Sequence, residues 1–291
     1  MVPAAVQADP RLQKLWALNR SAGPEDKAPL WDHRDEALQA ELDAIIEHLG
    51  LTRETQEKDL SVVFVDISDL EKPRVADANG DVMMYAASLP KIAVLLAAFE
   101  QAAAGNLDID ARTEDLLRRM IRKSSNAATT ELMNRVGKQN IAYTLLSPRY
   151  RLYDPAHNGG LWVGKDYAKA GLWRRDPLHN LSHGATAMQV ARFYYLLETG
   201  NLVSPKHSQS MKHILSNTGI KHKFAAALGR VNPMAQLYRK SGTWRTYHSD
   251  SVLVQRDGRG YIAVALSNDP KGADWLSKIV QLLDDVIYPE G

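Results

Sequence analysis

No cysteine occurs in the 291 residues. That excludes disulfide frameworks, thiolate zinc sites and cysteine nucleophiles, and it leaves an oxidising compartment tolerable without requiring one. No apolar run approaches the roughly 20 residues that span a bilayer, so no membrane span is expected. The opening MVPAAVQADPRLQKLW has no basic stretch followed by an apolar one, and no signal peptide is expected in this numbering. Charge of one sign is scarce too: Lys and Arg number 36 against 34 Asp and Glu, a net charge of +2. No like-charge block is present to track a phosphate backbone or an anionic membrane, so nucleic acid is not an expected partner. Glycine-rich phosphate loops, internal repeats and low-complexity segments are also missing.

What is present, 45% hydrophobic and 24% charged residues, is ordinary globular composition, long enough for one large core or two subdomains sharing one. Residues 1–34 mix Pro, Gly and charge with two tryptophans, which predicts an irregular N-terminal arm on a surface. Leu38, Leu42, Ile45, Ile46 and Leu49 recur at helical spacing, SVVFVDIS from Ser61 reads as a strand, and KPRVADANGD reads as a second short strand and turn. The stretch YAASLPKIAVLLAAFE then opens a helix with no polar face, and Pro90 fits only its first turn, so the helix begins near Ser88. Helical patterns dominate from Asp108 to Gly200, with Gly137 and Gly200 as C-caps. Within that span, 147–185 is irregular and rich in Gly, Pro, Trp and Tyr, and a loop of that length in a compact domain is usually functional.

Strands return in QLYRKSGT and in SVLVQRDGRGYIAVAL, where Asp257-Gly258 signals a two-residue hairpin. Trp275, Leu276, Ile279, Leu282, Leu283 and Val286 give the closing helix one apolar face. The expected fold class is α/β (α+β): an antiparallel sheet from both chain termini, flanked by helices, plus an inserted all-α subdomain. The α/β subdomain would comprise 35–105 and 220–291, the all-α subdomain 106–219, and the active site would lie between them.

Three short motifs occur in order: Ser88-Leu89-Pro90-Lys91, Ser124-Ser125-Asn126 and Lys240-Ser241-Gly242-Thr243. An S-x-x-K alone is expected about once by chance in a chain this size, and a lone lysine at a helix start is more often one that snorkels. Here the S-x-x-K follows a strand pair and opens a buried helix, while the K-S-G lies on a strand before a hairpin. On a first helical turn, residues i and i+3 share a face, so Lys91 can reach Ser88. Serine needs such a base, and desolvation with nearby positive charge lowers a lysine's pKa enough to accept a proton.

In these motifs the chain resembles the penicillin-recognising serine enzymes, specifically the class A β-lactamase-like group with its S-x-x-K, S-D-N and K-T-G set. The resemblance runs from about Leu60 to the C-terminus and includes TTEL and ATAMQVARFYYLLETGNLVS. It implies a serine acyl hydrolase with Ser88 as nucleophile and Lys91 as base. Backbone N–H groups of Ser88 and Thr243 would form the oxyanion hole. Ser124 would shuttle the proton to the leaving nitrogen, and Asn126 would bind the substrate amide and Lys91. Lys240, Ser241, Gly242 and Thr243 would bind substrate, with Lys240 and Thr243 on its carboxylate. Ser125 stands where the family has Asp.

The family's R-x-E-P-x-x-N-like loop has its nearest match in RRDPLHN, where Arg174, Asp176, Pro177 and Asn180 fit. Asp176 would then activate the deacylating water and Asn180 would sit beside the substrate; the alternative is an Arg174–Asp176 ion pair closing a turn. The short spacing from Ser88 to Ser124 suggests a missing or rebuilt cleft wall, with HNGGLWVGKDY, 157–167, as its replacement. Trp162 there either contacts substrate or anchors a lid, and Trp244 either lines the cleft or covers the sheet edge. His179 and His183 read as surface or loop histidines rather than metal ligands. A consecutive His248-Ser249-Asp250 cannot form a triad. No metal or cofactor is expected. The partner would be a small β-lactam or a related amide or ester, acted on by a monomer that the resemblance places in the periplasm or outside the cell. The alternatives are a D-Ala-D-Ala-type peptidase, an esterase or amidase of the same fold, or a sensor that acylates and stops.

Overall fold

The computed structural model describes residues 3–7, 9–21, 30–167 and 173–289. Its main sheet has five antiparallel strands in the order Arg74–Ala78, Leu60–Asp66, Arg259–Asn268, Tyr247–Arg256 and Gln236–Trp244. Strands from both ends of the chain therefore meet at its centre, where Leu60–Asp66 pairs with Arg259–Asn268. Leu60–Asp66 is apolar from Val62 to Val65 because both faces of the strand are buried. Period-two alternation sends Val62 and Phe64 to one core and Val63 and Val65 to the other. Helices Glu36–His48, Phe224–Val231 and Gly272–Ile287 cover the first face. The second face meets Lys91–Ala103, Ala187–Glu198 and the remaining helices.

The Lys91–Ala103 helix is buried from Lys91 through Phe99, which accounts for its lack of a polar face. Asp257 and Gly258, at φ 51° and 77°, form the hairpin turn with both central residues left-handed. Gly200, at φ 75°, follows the C-cap of Ala187–Glu198. Among the described residues, no helix is long and apolar enough to cross a membrane.

Two expectations change. The N-terminal arm is not simply irregular: Pro10–Ser21 is a helix, with Leu12 and Trp16 in the main core and the Asn19 side chain donating to Leu146 O at 3.1 Å. Asp9 opens it, accepting from Leu12 N at 3.2 Å and from the Tyr143 hydroxyl at 2.9 Å. Residues 22–29 of that arm, and 168–172 of the long irregular stretch, lie outside the described residues. The rest of 147–185 holds short strands. Trp162–Val163 pairs with His183–Ala185, which pairs with Met84–Tyr85 just ahead of Ser88. This small sheet fastens the long loop to the head of the buried helix.

Candidate active site

The chain enters Ser88 through a constrained turn. Ala86 N donates to His183 O at 3.0 Å, Ala87 is left-handed at φ 50°, and Leu89 N donates to Ala86 O at 3.0 Å. This holds Ser88, partly exposed, on the wall of a cavity of about 520 Å³. One turn on, Lys91 is fully buried. Its Nζ donates to Ser124 O at 2.7 Å, Asn126 Oδ1 at 2.9 Å and Ser124 Oγ at 3.4 Å, and it lies 4.6 Å from the centre of the Tyr167 ring. None of these bonds goes to Ser88 Oγ, the partner that the i, i+3 spacing suggested. Burial lowers the Lys91 pKa to about 7, because removing an ammonium from water favours its neutral form.

Ser124 and Asn126 reach Lys91 from the break between helices Ala111–Arg122 and Asn126–Val136. Ser124 adopts a left-handed conformation, φ 52°, and Ser125 caps the second helix by accepting from Ala128 N at 3.2 Å. Capping explains why serine serves where the family has Asp, since both side chains offer an N-cap oxygen. Ser124 Oγ also accepts from Lys240 Nζ at 3.0 Å. One hydroxyl thus joins the two buried lysines.

Lys240 belongs to the edge strand Gln236–Trp244. Its Nζ also donates to Ser241 O at 2.7 Å, and burial, reinforced by the charge of Lys91, holds its pKa well below the usual lysine range. In this strand's ladder the closing pair is Trp244–Tyr247, so Thr243, opposite His248, is a non-hydrogen-bonded pair whose N–H points away from the sheet. Gly242 permits close approach to the backbone of Ala86 and Ser88. A Cβ there would stand 2.3 Å from Ala86 O and 2.7 Å from Ser88 N.

A third lysine was not anticipated. Lys223 Nζ donates to Gly242 O at 2.6 Å, Thr243 Oγ1 at 2.8 Å and Ser249 O at 3.0 Å, bracing the motif strand from behind. Burial brings its pKa to about 8. The available signal was a cation at the N-terminus of KFAAAL, where a helix dipole disfavours positive charge. Asp250 forms a buried ion pair with Arg239 at 2.6 Å, and Ser249 Oγ donates to Ala86 O at 2.9 Å. The TYHSDS segment is therefore structural support.

Several residues are placed differently from expectation. Asp176 does not line the cavity. One carboxylate oxygen accepts from the Tyr153 hydroxyl and Leu178 N, and the other from His179 N at 2.7 Å and Leu181 N at 3.4 Å. It closes the turn, as the alternative reading held, but its partner is not Arg174, which pairs with Asp9 at 3.6 Å. Asn180 is exposed, and its backbone belongs to the same turn. Trp162 is fully buried against Tyr153, with its Nε1 donating to Arg174 O at 3.0 Å, so it anchors the loop rather than touching the cavity. Gly164 follows because a Cβ would meet Arg174 O at 1.9 Å.

The rebuilt wall consists of residues that drew less notice. Asp166 lines the cavity, with one carboxylate oxygen accepting from Lys138 Nζ at 2.7 Å and the other, buried, without a partner among the described residues. Tyr167 stacks on His183 at 4.1 Å and donates to Ala87 O at 3.2 Å. His183 is not at the surface: it is buried in the cavity wall with Nδ1 unpartnered among the described residues, and burial depresses its pKa to about 3. Trp244 lines the cavity, 46% exposed.

A two-sided antiparallel sheet with a partly exposed serine at the head of its central helix defines a serine hydrolase of the class A β-lactamase and transpeptidase fold. The chain belongs to the Beta-lactamase enzyme family, whose profile matches residues 37–114 and 111–288. No curated protein matches it in sequence. Solved structures similar to it include PBP-A, at 16% identity and TM-score 0.64, covering 87% of this chain and 96% of that one. A β-lactamase from Sphaerobacter thermophilus matches at 15% identity and TM-score 0.66, covering 85% and 96%. A class A β-lactamase representative from Bacteroides cellulosilyticus matches at 17% and 0.64, covering 86% and 97%.

Proposed function

We propose that the protein hydrolyses β-lactams or closely related cyclic amides through an acyl-enzyme on Ser88. The observation that carries this is the chain Lys91–Ser124–Lys240, two buried lysines joined through one half-buried hydroxyl, beside a serine that opens onto a cavity. Ser88 Oγ attacks the carbonyl carbon and passes its proton to neutral Lys91, while the N–H groups of Ser88 and Thr243 bind the developing oxyanion. The carbon–nitrogen bond then breaks, and the leaving nitrogen takes a proton from Ser124, which is refilled from Lys91. Lys240 and Thr243 receive the substrate carboxylate, and an anion there restores the charge that burial takes from Lys240. Asn126 binds the acyl amide.

Hydrolysis needs a second base, which we assign to Asp166. Among the described residues it is the carboxylate lining the cavity, and one of its oxygens has no partner. Water gives its proton to Asp166, its oxygen bonds to the acyl carbon, and the ester bond breaks with the proton returning to Ser88 Oγ. A second reading, an acyl-enzyme that persists as in a peptidase or a sensor, draws support from the Tyr167 ring, which covers Lys91 on the side open to the loop.

A variant of the structurally similar PBP-A is held as an acyl-enzyme with penicillin G, which makes that compound a suitable probe. Intact mass followed over time should show an adduct that forms and decays, is absent in Ser88→Ala and accumulates in Asp166→Asn. An adduct that never decays in the unaltered protein favours the second reading. Failure to form an adduct removes the β-lactam proposal.

A further inference from the structure

The cavity lies to one side of the nucleophile. Along the edge strand, Lys240 lies at the Ser124 end and Trp244 four residues on, about 13 Å away at strand rise. The cavity belongs to the Trp244 end: it is lined by Ser88, Asn126 and Thr243 where the acyl carbon would sit, and beyond them by Tyr85, Trp244 and Tyr247. Since the proton relay serves the leaving nitrogen, this end receives the acyl side chain.

Two properties of that end define what fits. The first is aromatic surface. The Tyr85 ring lies 5.4 Å from Trp244 and 5.2 Å from Tyr247, and Trp244 keeps 46% of its surface exposed. Flat rings held by one another present faces and edges to a planar group. The second is an excess of cations. Lys165 and Arg175 line the same cavity, and the Arg245 guanidinium lies 4.3 Å from the centre of the Trp244 ring. The acid in that lining is Asp166, and Lys138 already holds one of its oxygens. Among the described residues, the Lys165 ammonium has no hydrogen-bond or ion-pair partner. These cations are separate from Lys240, which lies at the other end, and from Lys223, which braces Gly242 and Thr243.

We propose that this end is a subsite for an acyl side chain carrying a planar ring and a negative charge, with Tyr85, Trp244 and Tyr247 on the ring and Lys165 and Arg175 on the anion. The proposal rests on the acyl-enzyme reading and adds the substrate's second charge to it.

Four penicillins with one nucleus separate the contributions: carbenicillin (ring and carboxylate), benzylpenicillin (ring alone), ampicillin (ring and ammonium) and 6-aminopenicillanic acid (neither). Second-order acylation rates from intact mass should fall in that order, with carbenicillin about tenfold or more above ampicillin, the factor for one well-placed charge. Lys165→Gln should bring that ratio toward one. Trp244→Ala should narrow the gap between benzylpenicillin and 6-aminopenicillanic acid, and circular dichroism would confirm that both variants are folded. Equal rates for carbenicillin and ampicillin, or a ratio that Lys165→Gln leaves intact, would overturn the subsite while sparing the acyl-enzyme. Absence of an adduct with all four compounds would overturn the acyl-enzyme reading itself, and the subsite with it.

Discussion

Gly242→Ala tests whether the edge strand and the nucleophile's backbone form one donor pair. Gly242 has no positive φ, so alanine suits its backbone and the effect is steric alone. The new Cβ would lie 2.3 Å from Ala86 O, 2.7 Å from Ser88 N and 2.7 Å from Ser249 Oγ. The serine hydroxyl can rotate away, but the other two atoms are backbone. Ordinary contact begins near 3.4 Å, so strand and turn must separate by about 1 Å. A donor moved that far from an acceptor about 2.9 Å away no longer bonds to it. Loss of one oxyanion donor lowers the rate roughly 10²–10³-fold, and relief of the overlap costs about 1–3 kcal/mol of stability. Stopped-flow acylation with a chromogenic cephalosporin, beside thermal unfolding, reads both quantities. Acylation within threefold of the unaltered protein, at unchanged Tm, would refute the claim that this contact sets the donor geometry.

Lys91 must be neutral to take the Ser88 proton, and burial places its pKa at about 7. The acylation rate should therefore rise with pH through about 7 and then level off, falling about tenfold per unit on the acid side; a flat profile from pH 5 to 8 would exclude Lys91 as the base. Asp176→Asn weakens a charged acceptor of the Tyr153 hydroxyl and three loop amides, so urea unfolding should show a loss of about 2 kcal/mol with acylation unchanged. Selective loss of deacylation would return Asp176 to catalysis. Trp162→Ala should cost about 3–5 kcal/mol as a core truncation, seen as a lowered Tm; a changed substrate KM at unchanged Tm would contradict its placement as an anchor.

The placement of Ser88, Lys91 and the motif strand was legible because each lies in a short local pattern that its secondary structure orients. S-x-x-K on a first helical turn and K-S-G on an edge strand need no knowledge of distant contacts to be aimed. The second wall had no such guide. Asp166 and Asp176 are ten residues apart in a segment with no sustained period, so the sequence does not reveal which carboxylate faces the cavity, and the better motif match went to the residue that closes a turn. Trp162–Val163 is a two-residue strand, too short for alternation to separate core from cleft. His183 is buried by its pairing with Val163, a long-range event. At the N-terminus, Leu12, Trp16 and Asn19 do form a helical stripe, but the prolines and glycines around it masked the period.

The arrangement of charge is consistent with the two different bases that the proposed mechanism requires. Lys91 is held by neutral acceptors alone, Ser124 O, Ser124 Oγ and Asn126 Oδ1, together with the face of Tyr167. A carboxylate placed about 3 Å from Nζ would contribute roughly 5 kcal/mol at an effective dielectric constant of 20. That is enough to return the lysine to its ordinary range and keep it protonated at neutral pH. A glutamate or aspartate bonded to Lys91 would thus remove the base that acylation uses. Asp166 is bonded to Lys138 at 2.7 Å, and among the described residues no bond joins it to Lys91, so it does not hold Lys91 protonated. In the proposed mechanism the two bases act in successive steps, each kept out of the other's hydrogen bonds among the described residues.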